Sequence, residues 1–230
     1  MMPELLQIED LRFTWPGDSQ PVLDLPEFRI APGERVFLQG PSGSGKSTLL
    51  AAIGGLIRPA SGRIRFDQTD LGALSAARRD RFRAEHLGVI FQQFNLLPWL
   101  DVRANVMLPC RFSKARARRA GNVVEAADAL LDGMGLAPAL RGKRADTLSV
   151  GQQQRVAAAR ALIGKPRLVL ADEPTSALDH DRREAFIDLL FGQVEAAGSA
   201  LLFVSHDPSL AGQFDRRVSL SEINRAGVVT

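Results

Sequence analysis

The stretch that decides the fold is GPSGSGKST, Gly40 to Thr48, which follows the apolar run RVFLQ and precedes a helical pattern from Ser47 to Leu56. It matches the phosphate-loop pattern G-x-x-x-x-G-K-[ST], in the strand-before and helix-after context that supports the match. Gly40, Gly43 and Gly45 let the backbone wrap tightly around phosphate oxygens, because a Cβ would clash or forbid the required dihedral angles. The sequence therefore predicts a nucleotide-binding loop.

Each part of this loop has an expected contact with the phosphates. Backbone N–H groups and the helix N-terminus would face the anion. Lys46 is expected to neutralise the β- and γ-phosphates, and the Ser47 hydroxyl to coordinate Mg²⁺. The predicted nucleotide contacts in the loop are Gly40, Pro41, Ser42, Gly43, Ser44, Gly45, Lys46, Ser47 and Thr48. The loop alone predicts nucleotide binding and leaves the kind of enzyme open.

A pair of acids follows the later segment RLVLADEPT. Its apolar run has no alternation, which is typical of a parallel strand buried on both faces. Asp172 at the carboxyl end of that strand is predicted to hold Mg²⁺ through water, where ligands bind in open α/β sheets. Glu173 is predicted to orient or deprotonate the attacking water of a phosphoryl transfer. The alternative is that both acids merely cap a strand at the surface.

The order of elements indicates an α/β fold. Apolar runs broken by proline and glycine make residues 5 to 40 rich in β-structure. Residues from about 100 to 165 favour several helices, and ALLFVSH near position 203 is a second buried strand. We expect one α/β domain over residues 1–230, with a helical subdomain at about 95–160.

Composition excludes several classes of protein. The 230 residues are 45% hydrophobic and 24% charged, as in an ordinary globular protein, and the net charge of +3 does not by itself imply nucleic acid. The single cysteine, Cys110, excludes an internal disulfide and favours a reducing cytosol. The first residues lack a signal-peptide pattern, and no apolar stretch approaches the roughly 20 residues of a membrane span. We expect any membrane role to come through partners.

A family resemblance rests on motifs in a fixed order. LSVGQQQRVAAARAL, Leu148 to Leu162, resembles the signature sequence of ABC ATPases. Phe91-Gln92 resembles the Q-loop of that family, SALD ending at Asp179 its D-loop, and His206 in LLFVSHD its switch histidine. The resemblance implies ATP and Mg²⁺ as cofactors. It also implies a phosphate-loop NTPase core, a mostly parallel sheet flanked by helices, with an N-terminal antiparallel β subdomain and a helical signature subdomain.

The resemblance also implies roles for residues near the nucleotide. Trp15 would stack on adenine, since the chain has no tyrosine; the alternative is a core tryptophan on an edge strand. Gln92 would complete the Mg²⁺ shell and report on the membrane partner, with Gln93 as the neighbouring alternative. His206 would hydrogen-bond the γ-phosphate and the attacking water.

Other roles belong to a second copy of the chain. The resemblance implies a head-to-tail homodimer in which Ser149, Gly151 and Gln152 contact the ATP held by the other subunit, and Asp179 communicates across the interface. ATP would join the two chains, and hydrolysis would weaken the closed state. Val150 stands where the family has glycine, and a branched residue does not easily take a positive φ. We therefore expect reduced but real ATPase activity.

The branch of the family is indicated by FQQFNLLPWLDVRANVMLP, which resembles lipoprotein-release and macrolide-efflux ATPases. That branch implies an integral-membrane permease as partner and a peripheral location on the cytoplasmic face of the inner membrane. It favours export or lipoprotein and peptide extraction. RANV and SALD depart from the branch, and SALD is more similar to importer ATPases.

Alternatives from other classes remain. One is a soluble ABC ATPase of cluster assembly or cell division, and another is a degenerate nucleotide-binding scaffold, which the presence of Lys46, Glu173 and His206 disfavours. The basic stretch RFSKARARRAG, Arg111 to Gly121, could contact anionic lipid or an acidic permease loop, or it could be a solvated helix face. Nucleic-acid binding is not expected, because aromatic residues are not interleaved with the charges.

Overall fold

The computed structural model describes residues 4–226, apart from the side chain of His180. These residues divide into two compact units, unit 1 with residues 4–83 and 202–226 and unit 2 with Ala84–Leu201. No helix within residues 4–226 is both long enough and apolar enough to cross a membrane.

The chain forms nine strands and eight helices over its described part, besides four short 3-10 turns. The strands are β1 (Leu6–Phe13), β2 (Leu23–Ile30), β3 (Arg35–Gln39), β4 (Ser61–Phe66), β5 (Thr69–Asp70), β6 (Leu87–Ile90), β7 (Leu168–Asp172), β8 (Ala200–Val204) and β9 (Arg216–Ser219). The helices are α1 (Lys46–Ile53), α2 (Ala76–His86), α3 (Val102–Phe112), α4 (Lys114–Ala120), α5 (Val123–Gly133), α6 (Val150–Leu162), α7 (His180–Ala197) and α8 (Leu220–Ile223).

Unit 1 contains a four-stranded sheet in the order β2-β1-β4-β5, and its neighbouring strands are antiparallel. Burial largely alternates along β1 and β2, and Ile8 lies opposite Phe28 in the register. Side chains on successive residues of a strand point to opposite faces, so this alternation buries one face of the sheet. The predicted N-terminal antiparallel subdomain is confirmed.

A second group of strands in unit 1 has the order β8-β3-β9 and leads into the phosphate loop. β3 and β9 are parallel, and the three central residues of β3 are completely buried. The ring of Phe37 packs against those of Phe203 and Phe214, with centroids 6.2 and 5.2 Å apart. Helix α1 begins at Lys46, directly after the loop, so the predicted strand–loop–helix unit is confirmed.

Unit 2 contains the parallel strands β6 and β7. Residues 168–171 of β7 are all buried, as the unbroken apolar run predicted. Helices α3, α5 and α6 pack on one another, and α6 also packs on β6. The predicted helical middle of the chain is therefore confirmed.

The basic stretch Arg111 to Gly121 is not the uniform surface that either interpretation of its sequence assumed. Arg111, Lys114 and Arg118 are exposed, but Arg116 is only 2% exposed. Its guanidinium lies in the interior of unit 2 because main-chain carbonyl groups there accept its hydrogen bonds. Arg116 is therefore neither a lipid-contacting residue nor part of a solvated helix face.

The C-terminal segment, for which the sequence carried no prediction, supports the phosphate loop of unit 1. Asn224 is 7% exposed and follows α8. Its Nδ2 donates to the carbonyl oxygens of Val22 and Ser44 at 2.9 and 3.2 Å. Its Oδ1 accepts the backbone N–H of Asp24 at 2.8 Å. One amide therefore fixes the loop to the start of β2.

Replacing Asn224 by aspartate would test this support. The carboxylate keeps the acceptor for Asp24 but turns an oxygen toward two carbonyl oxygens, which leaves buried acceptors without a donor. We expect the free energy of unfolding, measured in urea, to fall by about 1–3 kcal/mol. The control is Glu222→Gln, an exposed neighbour, which should stay within about 0.5 kcal/mol of the parent. Equal stability of Asn224→Asp and the control would contradict the role given to Asn224.

Candidate functional site

The phosphate loop of unit 1 has a backbone that requires its glycines. Gly43 and Gly45 have φ of 80° and 98°, and Gly45 is the N-cap of α1. A Cβ on Gly45 would lie 3.0 Å from the Val22 carbonyl oxygen, and one on Gly40 would lie 2.7 Å from the Ser44 Oγ. The positive φ at Gly43 and Gly45 and the backbone contact at Gly45 disfavour side chains there, which keeps the tight turn that a phosphate cradle needs.

Polar groups of the loop are turned toward its interior. The Lys46 Nζ donates to the carbonyl oxygens of Gly40 and Pro41 at 2.7 and 2.9 Å. The Ser44 hydroxyl is buried and has no hydrogen-bond partner among the described residues. Buried polar atoms normally have partners. A phosphate oxygen is a partner that fits both this hydroxyl and the lysine ammonium.

Two further predicted residues of unit 1 are accessible. Trp15 is 41% exposed, and its ring forms a T-shaped contact with that of Phe13 at a centroid distance of 4.9 Å. His206 is exposed and directly follows Ser205, whose N–H donates to the Leu38 carbonyl at 3.1 Å. The histidine therefore follows a residue bonded to β3, the strand that leads into the phosphate loop.

In unit 2, the acidic pair stands at the end of β7. Asp172 is the last residue of the strand, and Glu173 has a φ of 48°. A left-handed conformation at a residue other than glycine is uncommon and costs on the order of 1–3 kcal/mol. The Glu173 carbonyl accepts the Ser176 N–H at 3.2 Å, so a turn begins here. Such a backbone is typical of functional sites, where surrounding structure holds it in place.

The start of α6 carries the signature residues of unit 2. Ser149 is the N-cap and forms a capping box with Gln152: its Oγ accepts the Gln152 N–H, and Gln152 Oε1 accepts the Ser149 N–H. Val150, half exposed, is the first helical residue, and its φ is not positive. A Cβ on Gly151 would meet nothing within 4 Å. The first N–H groups of a helix have no intrahelical acceptor, so those of Val150 and Gly151 remain available to an anion.

The other predicted residues of unit 2 lie at turns and helix ends. Gln92 and Gln93 are both exposed in the turn after β6, and the structure does not distinguish between them as the Q-loop glutamine. Asp179 is exposed and caps α7 by accepting the Arg182 N–H at 3.0 Å.

Two residues of α6 that the sequence did not single out connect the motifs of unit 2. Gln154, 1% exposed, donates through Nε2 to the Pro174 carbonyl at 2.6 Å, next to Glu173. Arg160 donates to the Phe94 and Asn95 carbonyls at 2.5 and 2.6 Å, just after the predicted Q-loop. Phe94 and Asn95 both have a positive φ. Burial lowers the pKa of Arg160.

A signal for Gln154 exists in the sequence, because it shares a helix face with Ala158 and Ala161 at i, i+4 and i+7. A polar residue on a face of buried alanines suggests a buried hydrogen bond. For Arg160 we find no comparable signal, since its partners are carbonyl groups of a distant segment.

Each unit contains an oxygen atom that could bind Mg²⁺, but neither contains a complete set of protein ligands among its described residues. No group of three or more His, Cys, Asp or Glu side chains in the described part of the chain is placed to hold a metal ion. Mg²⁺ commonly binds one or two protein oxygens together with substrate phosphates and water. The Ser47 hydroxyl and the Asp172 carboxylate are oxygen donors of this kind, so they fit the ion.

Comparison with known proteins places these motifs in a family. Residues 23–176 match the family model described as ABC transporter. The chain is 46% identical to the lipoprotein-releasing system ATP-binding protein LolD of Anaeromyxobacter dehalogenans, over 87% of this chain and 82% of that protein. It is 42% identical to the macrolide export ATP-binding/permease protein MacB of Syntrophobacter fumaroxidans, over 94% of this chain and 30% of that longer protein.

A solved structure agrees with this result. A dimeric ATP-binding cassette in a post-hydrolysis state, bound to ADP and Pi, superposes with a TM-score of 0.81 at 34% identity, over 93% of both chains. The family model spans more than half of this chain, and a relative far above 30% identity is covered over most of its length. The chain therefore belongs to the ABC transporter family, and it is an ATPase of that family with its similarity in the lipoprotein-release and macrolide-efflux branch.

Proposed function

We propose that this chain binds MgATP between two copies of itself and uses hydrolysis to drive an integral-membrane permease in export or extraction. The two relatives above are named for lipoprotein release and macrolide export, which supports this direction. The dimeric ADP- and Pi-bound cassette supports the second copy of the chain. The copies would associate head-to-tail at the cytoplasmic face of the inner membrane, with no nucleic acid involved.

The observation that carries hydrolysis is the backbone of Glu173. A carboxylate directly after the buried strand β7 is held at a φ of 48°, which costs free energy. Glu173 as general base accounts both for the residue type and for its conformation.

The residues of unit 1 would hold the nucleotide. Lys46 would leave its loop carbonyls to neutralise the β- and γ-phosphates, and Ser47 would hold Mg²⁺. Trp15 would stack on adenine with its exposed face, and His206 would hydrogen-bond the γ-phosphate. The remaining contacts would come from Gly40, Pro41, Ser42, Gly43, Ser44, Gly45 and Thr48.

The residues of unit 2 would supply the reaction and the contacts to the partner's ATP. Asp172 and Gln92 would complete the Mg²⁺ shell. The N-terminus of α6, with Ser149, Gly151 and Gln152, would face the γ-phosphate of the other copy, since helix N-termini favour anions. The Ser149 Oγ accepts a capping bond, which leaves its hydroxyl proton free to donate. Asp179 would act across the interface.

We infer that residues 1–230 act as one ABC ATPase domain, in which about 95–160 form the helical subdomain. The first three and last four residues of that range lie outside the described residues. Co-purification with permeases encoded in neighbouring genes, where there are any, would test the transporter assignment. A permease that copurifies with the MgATP-bound chain is the expected result, and failure of every neighbouring permease to do so would favour a soluble ABC ATPase.

Replacing Glu173 by glutamine tests hydrolysis. The amide cannot accept a proton from water, so turnover should fall by about 10²- to 10⁴-fold. ATP should still bind, so an ATP-dependent dimer should accumulate on size-exclusion chromatography. The charge-matched control is Asp188→Asn on the exposed side of α7, which should hydrolyse ATP like the parent. Unchanged turnover in Glu173→Gln would show that the base is another group.

Replacing Val150 by glycine tests the departure in the signature. The Val150 side chain is 50% exposed at the helix end proposed to meet the partner's γ-phosphate, so its removal should allow closer approach. We expect higher turnover for Val150→Gly at protein concentrations where both proteins are dimeric. Val123→Gly, at the first position of α5, controls for the loss of helix propensity. Equal rates for Val150→Gly and the parent would refute the idea.

A further inference from the structure

Arg116 is a buried charge that the proposed function leaves unexplained. It belongs to α4, within the basic stretch, and is 2% exposed. A buried cation is costly unless it is paired or hydrogen-bonded. The surroundings of its guanidinium therefore show what the residue does.

All four hydrogen bonds of the Arg116 guanidinium go to main-chain carbonyl oxygens. Nε donates to Ile163 at 2.8 Å, and one Nη donates to Leu87 at 3.0 Å. The other Nη donates to Ala161 at 2.6 Å and also to Ile163. Leu87 begins β6, whereas Ala161 and Ile163 lie at the C-terminal end of α6. One side chain thus joins the signature helix to the strand that leads to Gln92.

The end of α6 needs such a donor. The last carbonyl groups of a helix have no intrahelical partner, and they carry the negative end of the helix dipole. Water cannot reach this end, because Ala161 and Ile163 are buried. A guanidinium offers several donors in a fixed plane together with a positive charge. Burial lowers the pKa of Arg116 to about 10, so the cation persists at neutral pH.

Two glycines make room for this junction. A Cβ on Gly88 in β6 would lie 2.4 Å from the Ala161 carbonyl oxygen, the same oxygen that accepts from Arg116. Gly164, directly after the helix end, has a φ of 69°, and a Cβ there would lie 2.6 Å from the Arg116 carbonyl oxygen. The strand, the helix end and α4 therefore approach one another at backbone distance.

Arg119, one turn later in α4, bonds to the segment after α6 and to the end of α2. Its Nε donates to the Gly164 carbonyl at 2.8 Å, and its Nη2 donates to that of Glu85. The matched control in the helix is Arg118, which is exposed and takes no part in this junction. Arg119 is itself exposed, and its hydrogen bonds to Gly164 and Glu85 distinguish it from Arg118.

We propose that Arg116 is a positioning residue, which sets the signature helix α6 against β6 and thereby orients the N-terminus of α6 toward the ATP of the second copy. The proposal rests on the proposed function, since it requires an ATP-dependent dimer. Helix α6 is 13 residues long, so a tilt at its C-terminal end displaces Ser149 and Gly151 at the other end. The strand on the opposite side of the junction runs directly to the predicted Q-loop.

The test uses the full chain in the Glu173→Gln background, in which the ATP-bound dimer should persist. Arg116→Met keeps much of the side-chain volume and removes every donor. We expect its dimer dissociation constant in MgATP, from analytical ultracentrifugation, to rise by about tenfold or more, which corresponds to about 1.4 kcal/mol. Binding of MgADP to the monomer should stay within about twofold of the parent, because the phosphate loop is not altered.

A conservative variant separates positioning from folding. Arg116→Lys keeps the charge, but its single nitrogen cannot span three carbonyl groups. Its dimer dissociation constant should lie between those of the parent and Arg116→Met. If Arg116→Met does not fold, Arg116→Lys and Gly164→Ala, which presses on α4 from the other side, carry the same test.

Two controls complete the comparison. Arg118→Met removes a charge from α4 outside the junction and should dimerise like the parent. Leu131→Ala, in the core of α5, should lower the melting temperature yet leave the dimer constant unchanged.

The outcomes separate the two proposals. Failure of the Glu173→Gln parent to dimerise in MgATP would overturn the proposed function. The positioning role alone would be overturned if the parent dimerises and the Arg116 variants dimerise equally tightly. The same conclusion would hold if their dimers are weakened only as much as that of Leu131→Ala.

Discussion

The need to satisfy main-chain carbonyl groups away from water governs the arrangement of motifs in this protein. Buried carbonyl groups at the ends of helices and strands have no partner within the element and need a hydrogen-bond donor from elsewhere. A buried carbonyl group without a donor costs about as much free energy as a lost hydrogen bond. In unit 1, Lys46 and Asn224 supply donors to the phosphate loop. In unit 2, Arg116, Arg160 and Gln154 supply them to the turns around α6. Long polar side chains therefore hold the turns that carry function.

This constraint divides the polar residues into two groups. Those proposed to meet ATP stand at exposed turns and helix starts, as His206 and Ser149 do, where a ligand can reach them. Those that hold the backbone donate to main-chain carbonyl groups within the protein, as the buried Arg116 does. Arginine suits the second group because its planar fork reaches several carbonyl groups and keeps its charge when buried. Glu173 connects the two groups of residues. Its strained backbone lies next to the Pro174 carbonyl group, which accepts a hydrogen bond from the buried Gln154.

The signature helix α6 is the element on which most of these contacts converge. Its start is a capping box, its middle contacts the segments after Glu173 and after the predicted Q-loop, and its end is held by Arg116. A packed interior transmits displacements rather than absorbing them. A displacement of α6 at one of these contacts is therefore passed to the others. Val150 at its start adds bulk where the family has none, while the helical backbone there is ordinary.

The class of fold and the order of the motifs can be deduced from the amino-acid sequence alone. Glycines at fixed spacing before Lys46, and an unbroken apolar run before Asp172, follow from local backbone and burial requirements, so they can be recognised without a structure. The contacts of Arg116 and Asn224, in contrast, become visible in the folded chain. Their partners are carbonyl groups 29 to 202 residues away. Every residue has the same main-chain carbonyl group. The sequence therefore does not indicate which carbonyl groups lack a hydrogen-bond donor once the chain has folded.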